Sequence, residues 1–270
     1  MKSLIIPFLL RFSLKKSYWL VWGADLYSYN ARNNKKSNYE RLKDKIRFDV
    51  QKKVGHIVTY IEGDFELARK WYGNKSSRHL CLGYPSNTYK DYSIQTTGDS
   101  FNDKLTGISI LVGNSADPSN LHSVAFKALE DYKDNNIIAP LSYGNAEYAS
   151  FVTKCGYEKF GGSFYPLKKF LKKDDYVAIL SKVDIAIFIH ERQQAMGNII
   201  TLLGLGKKIY MNRKSTAYQC LKGLGLYVYD FEDFNIQRLN FNEMKHNVEF
   251  VECYFSVENL KKQWFDILSC

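Results

Sequence analysis

The chain has 270 residues, of which 45% are hydrophobic and 24% are charged, a composition that suits a globular α/β protein of one or two domains. Its five cysteines are scattered and show no metal-ligand spacing, which argues for a reducing cytosol and against a disulfide framework or a zinc site. The net charge of +10 favours anionic partners: nucleotides, nucleic acid or an anionic membrane leaflet.

The amino terminus carries a short apolar segment. Residues 4–10 resemble the core of a signal peptide, but Arg11, Lys15 and Lys16 follow them without a small-residue cleavage site. The segment is too short to span a bilayer, and no other segment is long and apolar enough to do so. We therefore expect a helix that continues a larger domain, and neither a signal peptide nor a transmembrane helix.

A strand signal over residues 19–22 is followed by an acidic residue. Gly23 and Ala24 break the strand, and Asp25 lies just past its end. Because ligands bind at strand ends in open α/β sheets, Asp25 is a candidate general base or sugar-hydroxyl acceptor. It is also a candidate cap for the helix that follows.

Residues 35–53 predict a basic helix. Tyr39, Leu42, Ile46 and Val50 mark one face, and lysines and arginines occupy the others. Such a helix suits an anionic membrane surface, or it is a core-packed helix with a solvated basic face. No aromatic residues are interleaved with these charges in a stacking pattern, which disfavours nucleic acid as a partner.

Strand and helix signals then alternate. A strand, a short helix and a second strand are predicted at residues 55–62, 64–71 and 79–84. The polar stretch 89–103 predicts a linker between two α/β halves. The expected domains are therefore 1–100 and 101–270.

The second half opens on a candidate phosphate site. Residues 108–112 predict a buried strand, Gly113-Asn114-Ser115-Ala116 a tight loop, and Asp117-Pro118 the start of a helix that reaches Tyr132. Backbone N–H groups and a helix dipole at such a turn suit a phosphate. The pattern is neither GxGxxG nor a Walker loop, so an ordinary βα turn remains equally open.

The βα alternation continues to the end of the chain. Strands are predicted at 136–141, 157–160, 184–189, 207–211 and 226–229, and helices at 146–154 (stopped by Gly156), 174–180, from about 198 to 203, and 256–268. Repeated βα units predict a parallel, right-handed, doubly wound sheet.

A second polar cluster follows the apolar strand 184–189. Arg192 can neutralise a diphosphate, and Gln193 and Gln194 can bind sugar hydroxyls or a base edge. Gly197 lets the backbone approach a ligand, and Asn198 adds a further polar group. Four large polar residues directly after a buried strand favour a functional turn.

These motifs carry a resemblance to one bacterial family. The segments concerned are WGADLY at 22–27, ILVGNS at 110–115 with Asp117, Ser119, Asn120 and His122, NAEY at 145–148, and Arg192-Gln193-Gln194 with Gly197. In order and separation they resemble the TDP-N-acetylfucosamine:lipid II N-acetylfucosaminyltransferases, or 4-alpha-L-fucosyltransferases, of enterobacterial common antigen synthesis. The likeness covers most of residues 17–215.

The resemblance implies an α/β GT-B glycosyltransferase with two Rossmann-like halves, in which the C-terminal half binds the nucleotide sugar. Family members carry a substantial stretch before the WGADLY-like motif, so residues 1–100 are expected to be the remnant of an acceptor-side domain. Glu191 also stands where the family pattern has a small residue.

The resemblance further implies a metal-independent transfer of N-acetylfucosamine, or a related 6-deoxy-amino-hexose, from a dTDP-sugar to a polyprenyl-diphosphate-linked saccharide. Asp25 and Arg192 would be catalytic, with no cofactor. The expected donor-binding residues are Gly113, Asn114, Ser115, Asn120, His122, Tyr143, Gly144, Glu147, Gln193, Gln194, Gly197 and Asn198, with Glu147 also the second choice of acidic group.

The expected location is the cytoplasmic face of the inner membrane, where a basic surface holds the enzyme near anionic lipid. Two alternatives stay open: a glycosyltransferase with another donor and acceptor, and an inactive remnant or subunit.

Overall fold

The computed structural model describes residues 11–33, 37–90 and 107–269. The chain divides into two compact units. The first contains the described residues up to Pro85, the segment Arg192–Gln194 and the chain from Val257 onward. The second contains the described parts of Ser86–Glu191 and Ala195–Ser256. This division differs from the expected 1–100 and 101–270 domains mainly because the last helix and the Arg192–Gln194 segment belong to the first unit.

The first unit is built on a three-stranded parallel sheet in the order β1-β2-β3. The strands are β1 (Tyr18–Leu20), β2 (His56–Val58) and β3 (Ser77–His79), and the helices between them are α1 (Gly23–Leu26), α2 (Asn38–Lys53) and α3 (Glu62–Tyr72). Ile57, Leu26 and Tyr72 lie in its core. The Tyr72 hydroxyl donates to the Leu26 carbonyl oxygen at 2.8 Å, which ties α3 to α1.

The second unit is built on a six-stranded sheet in which all neighbouring strands are parallel. In chain order its strands are β4 (Ser109–Val112), β5 (Asn136–Pro140), β6 (Phe164–Leu167), β7 (Ile185–Phe188), β8 (Lys208–Met211) and β9 (Tyr229–Asp230). The spatial order is β6-β5-β4-β7-β8-β9. The order reverses between β4 and β7, and ligands of doubly wound sheets bind at the carboxyl ends of the two strands at such a switch point.

Helices connect these strands. They are α4 (His122–Ala128), α5 (Ala146–Phe160), α6 (Lys173–Ser181), α7 (Met196–Gly204), α8 (Thr216–Gly223) and α9 (Phe241–Tyr254), and the final helix α10 (Val257–Leu268) groups with the first unit. Every residue of β4, β5, β7 and β8 is buried, as a sheet covered on both faces requires. The predicted doubly wound α/β architecture is confirmed.

The prediction that Gly156 ends a helix was wrong. Helix α5 continues through Gly156 to Phe160, so the predicted strand over 157–160 is helical. A Cβ at Gly156 would lie 2.3 Å from a ring carbon of Phe164, so this glycine allows α5 to pack closely on β6. Strand β6 itself was not predicted.

The helix predicted from Pro118 to Tyr132 is interrupted. A 3-10 turn spans Pro118–Asn120, Leu121 adopts a left-handed conformation, and α4 then occupies only His122–Ala128 before another 3-10 turn. The strand predicted over 79–84 also lies earlier, at β3, and helix α9 was not predicted.

Two of the predicted segments fall largely outside the described residues. These are the amino-terminal segment 4–10 and most of the polar stretch 89–103. Tyr89, its first residue, is buried in the second unit and its hydroxyl donates to the Gly204 carbonyl oxygen at 3.2 Å. Within the described ranges, none of the helices combines the length and the apolar character that a membrane span needs.

Candidate functional site

The loop after β4 is fixed by a glycine. Gly113 has φ 69°, and a Cβ on it would lie 2.9 Å from both Asn120 Oδ1 and His122 Nε2. Its N–H donates to the Ile187 carbonyl oxygen of β7 at 2.9 Å. The turn therefore lies directly over the switch point, and only glycine has both the conformational freedom and the small size that it requires.

Asn120 locks this loop from the inside. Its side chain is only 1% exposed. Its Oδ1 accepts the Asn114 N–H at 3.1 Å, and its Nδ2 donates to the Ser115 carbonyl oxygen at 3.0 Å. Nδ2 also contacts the Ser115 hydroxyl and the Asp117 carbonyl oxygen, at 3.2 Å each. These bonds engage both polar atoms of the amide, so Asn120 shapes the loop around Asn114 and Ser115 and does not present a polar group to a ligand.

The turn after β5 is joined to the same loop. The Ala116 N–H donates to the Tyr143 carbonyl oxygen at 2.8 Å, and the Asn145 N–H donates to the Ala116 carbonyl oxygen at 2.9 Å. Asn114 Nδ2 also donates to the Tyr143 hydroxyl at 2.9 Å. Residues 113–117 and 142–145 thus form one hydrogen-bonded pair of loops at the carboxyl edge of the sheet, called here the paired loops.

Replacing Gly144 by alanine should separate the paired loops. Gly144 has φ 115°, and a Cβ there would lie 2.6 Å from the Ala116 carbonyl oxygen. Strain at such a position costs about 1–3 kcal/mol, so we expect Gly144→Ala to lower the free energy of unfolding by that amount in urea denaturation.

Gly162→Ala is the matched control, because a Cβ there would meet no described residue other than its neighbours along the chain, and its φ is outside the left-handed region. Equal stability of the two variants would show that the paired loops are not held in this geometry.

His122 lies beneath the paired loops. The residue is fully buried, and its Nδ1 lies 3.3 Å from the Tyr148 hydroxyl. Burial lowers the pKa of His122 to about 4, against the opposing effect of the Val112 backbone. The imidazole is therefore neutral at pH 7 and supports the turn without adding positive charge to it.

Three backbone N–H groups near this loop are unpaired in the part of the chain that the structure describes. The N–H groups of Ser115, His122 and Ser123 make no hydrogen bond to another described residue. Helix α4 is short, so these individual amides, and not the dipole of a long helix, are the groups that could bind a phosphate oxygen.

Backbone strain marks both strands of the switch point. In the described part of the chain, Leu121 (φ 52°) and Ala195 (φ 59°) are the non-glycine residues with positive φ. They directly precede α4 and α7, the helices that follow β4 and β7. Non-glycine residues in this region are costly and concentrate at functional sites, which supports a site at this edge.

The start of α7 is packed against its own unit. A Cβ on Gly197 would lie 2.7 Å from the Ser86 carbonyl oxygen. The space beside this glycine is therefore filled by backbone of the same unit. Asn198 Nδ2 donates to the Tyr176 hydroxyl at 3.1 Å, and burial raises the pKa of that hydroxyl. Tyr176, which sequence patterns did not single out, therefore orients Asn198.

Asp25 occupies the third position of α1 in the first unit. Its Oδ1 accepts the Trp22 N–H at 3.0 Å, and its Oδ2 accepts the Trp19 indole N–H at 2.7 Å. The first bond belongs to a capping box in which Trp22 is the N-cap residue, so Asp25 supports the start of α1 but is not itself the predicted N-cap. Burial raises the pKa of the carboxyl to about 6 despite both bonds, which is close to the value that a general base needs near neutral pH.

The Arg192–Gln194 segment lies next to α1 in the same unit. A Cβ on Gly23 would lie 1.9 Å from the Gln193 carbonyl oxygen, so the two backbones are in direct contact. Arg192 Nε donates to Gln194 Oε1 at 2.8 Å. Within the first unit, the backbone of the Arg192–Gln194 segment therefore lies against α1, the helix that carries Asp25. Gly23 allows this contact because it has no side chain, and the sequence marks it only as the residue that breaks the predicted strand and as part of the WGADLY motif.

The remaining candidates lie on the surface of the second unit. Tyr143 is half exposed, and Glu147 is exposed in the first turn of α5. Across the described residues, no three His, Cys, Asp or Glu side chains cluster in a way that could hold a metal ion.

Solved structures share this architecture. The N-terminal domain of Candida albicans trehalose-6-phosphate phosphatase aligns over 98% of this chain and 68% of its own, with 13% identity and a TM-score of 0.64. Sucrose-phosphate synthase of Thermosynechococcus elongatus aligns over 93% and 66%, with 10% identity and a TM-score of 0.65. An alpha,alpha-trehalose-phosphate synthase of Burkholderia xenovorans aligns over 86% and 63%, with 9% identity and a TM-score of 0.62.

At these identities the likeness shows the fold alone, and the chain spans 63–68% of the length of these three solved chains. The fold is that of a GT-B glycosyltransferase. A family model described as 4-alpha-L-fucosyltransferase, glycosyl transferase group 56, matches residues 6–270, and the chain belongs to that family. The resemblance inferred from the sequence motifs is confirmed.

Proposed function

We propose that this chain transfers N-acetylfucosamine, or a related 6-deoxy-amino-hexose, from a dTDP-sugar to a polyprenyl-diphosphate-linked saccharide. The acceptor would belong to enterobacterial common antigen or O-antigen type synthesis at the cytoplasmic face of the inner membrane. The observation that carries the proposal is the family match over residues 6–270, in a chain whose sheet has a glycine turn at its switch point.

The paired loops would hold the donor diphosphate. The N–H groups of Ser115 and Ser123 would donate to its oxygens, and the Gly113 turn would let a ligand approach the backbone closely. Asn114 and Tyr143 would line this site through their shared hydrogen bond. Asn120 and His122 would act from beneath by holding the loop.

Arg192 would balance the negative charge that grows on the departing nucleotide, as a metal ion does in many other glycosyltransferases. The side chains of Gln193, Gln194 and Asn198 would orient the donor sugar. Gln193 suits this role because its Oε1 is buried without a hydrogen-bond partner among the described residues. Asp25 would accept the proton of the acceptor hydroxyl, with Glu147 the second acidic candidate.

Binding of dTDP should raise the melting temperature of the chain. A ligand that binds only the folded state stabilises it by about 2.7 kcal/mol at 100 times its dissociation constant. We expect dTDP to give a clear shift in differential scanning fluorimetry, and UDP and GDP to give smaller ones.

A radiolabelled-sugar transfer assay with dTDP-, UDP- and GDP-sugars would then identify the donor. No shift with millimolar dTDP would argue against the donor site. A larger shift with UDP or GDP would identify that nucleotide, and not dTDP, as the nucleotide of the donor.

A further inference from the structure

A basic and aromatic segment follows β6. Residues 168–173 read Lys-Lys-Phe-Leu-Lys-Lys and connect β6 to α6. Phe170 is 83% exposed, more than any other large hydrophobic side chain among the described residues. A single exposed apolar residue is ordinary on a protein surface, but this one stands between two pairs of lysines.

The charge of this segment is unbalanced. Lys168, Lys169 and Lys172 form no ion pair with another described residue. No acidic residue lies within the segment, and Asp174 and Asp175 come only in the first turn of α6. Unpaired lysines around an exposed aromatic ring match a bilayer surface, where lysines meet anionic headgroups and the ring enters the interface.

Helix α2, whose sequence makes it a candidate membrane-binding helix, is less suited to bind an anionic bilayer. Tyr39 and Leu42 are exposed on it, at 59% and 56%. However, Arg47 and Lys53 pair with acidic residues of the same helix, which reduces the positive charge available for lipid. Lys168, Lys169 and Lys172 have no such compensation from another described residue.

The position of the segment links it to the paired loops. All strands of the second unit run parallel, so the chain leaves β6 at the same edge at which it leaves β4 and β5. Lys168 lines a cavity of about 260 Å³ together with Tyr143, Gly144 and Asn145 of the paired loops. A surface bound through 168–173 would therefore lie beside the edge that carries those loops.

We propose that residues 168–173 bind an anionic lipid bilayer, with Phe170 entering the headgroup region and the lysines contacting lipid phosphates. This contact turns the carboxyl edge of the second unit's sheet toward the membrane that would hold a polyprenyl-linked acceptor. The inference rests on the membrane location proposed above and adds the element that makes the contact.

Vesicle co-sedimentation tests this inference. The chain is mixed with vesicles of phosphatidylcholine alone or of phosphatidylcholine with phosphatidylglycerol, and the bound fraction is measured at low and physiological salt. We expect binding to the anionic vesicles only, and weaker binding at higher salt. Lys169→Glu combined with Lys172→Glu should weaken it by roughly tenfold or more, and Phe170→Ser by several-fold.

Matched controls lie in the same unit. Lys133→Glu combined with Lys222→Glu changes the net charge equally at exposed sites elsewhere. Phe241→Ser removes a ring that is 70% exposed and whose nearest lysine on the same helix, Lys245, pairs with Glu249. Both controls should bind vesicles far better than the corresponding 168–173 variants.

The outcomes separate the two proposals. If the unmodified chain binds no anionic vesicle, the membrane location and this inference both fail. If it binds and the 168–173 variants bind as well as their controls, only this inference fails. A lost dTDP-induced thermal shift in the lysine variant would assign these lysines to the donor anion and would also overturn the inference.

Discussion

Replacing Arg192 by alanine is expected to lower kcat for transfer from a dTDP-sugar by about 10²–10³-fold, the usual effect of removing one group that stabilises transition-state charge. The guanidinium is half-buried, and its Nε donates to Gln194 Oε1 at 2.8 Å, so its orientation is fixed before a ligand binds. Because the charge on the nucleotide grows during bond cleavage, kcat should fall more than KM rises.

Arg192→Lys distinguishes charge from geometry. Lysine keeps the positive charge but lacks the planar fork, so we expect an intermediate rate. Arg213→Ala is the matched control, since Arg213 is 57% exposed and its charge is already paired with Asp230 and Glu232. If Arg192→Ala retained the kcat of the unmodified chain with an unchanged melting temperature, Arg192 would be a residue of structure only.

The fold was largely predictable because its strongest signals are local. The apolar runs that became β4, β7 and β8 are fully buried strands, and such runs are recognisable without knowledge of their partners. The errors arose where a tertiary contact overrides a local preference. A glycine normally predicts the end of a helix, but Gly156 lies inside α5 at a position where a Cβ would clash with the Phe164 ring.

The candidate site was predictable in position more than in detail. Gly113 and Asn114 were predicted to follow a strand at a ligand-binding edge, and the structure places them at the switch point. The internal role of Asn120 was not predictable, because its four hydrogen bonds depend on how the loop closes around it. Sequence spacing alone cannot show which polar side chain faces a ligand and which supports the loop.

Positive φ at ordinary residues leaves no signature in the sequence. Leu121 and Ala195 are common helix formers, and nothing in their identity indicates a left-handed backbone. The contact between Gly23 and Gln193 joins residues 170 positions apart, which no periodicity can report. Both features arise only in the folded chain.

Replacing Asp25 by asparagine is expected to lower kcat by about 10²–10⁴-fold, the usual contribution of a general base. Only the ionised carboxylate can accept the proton of an acceptor hydroxyl. Burial raises the pKa of Asp25 from 3.8 to about 6, so kcat/KM for the unmodified chain should rise with pH through about 6 and then level. With an ordinary exposed aspartate, this acid limb of the pH profile would lie near pH 4. Asp25→Asn should abolish this acid limb of the pH profile as well as lower kcat.

Trp19→Phe tests whether this limb belongs to Asp25. The indole N–H donates to Asp25 Oδ2 at 2.7 Å and lowers the pKa of the carboxyl, partly offsetting the effect of burial. Loss of that donor removes a hydrogen bond to the charged form, so the pKa of Asp25 should rise and the acid limb should move to higher pH. A purely structural cap would alter the melting temperature but leave the limb in place. An unmoved limb in Trp19→Phe, together with an active Asp25→Asn variant, would leave Glu147 as the acidic residue to test next.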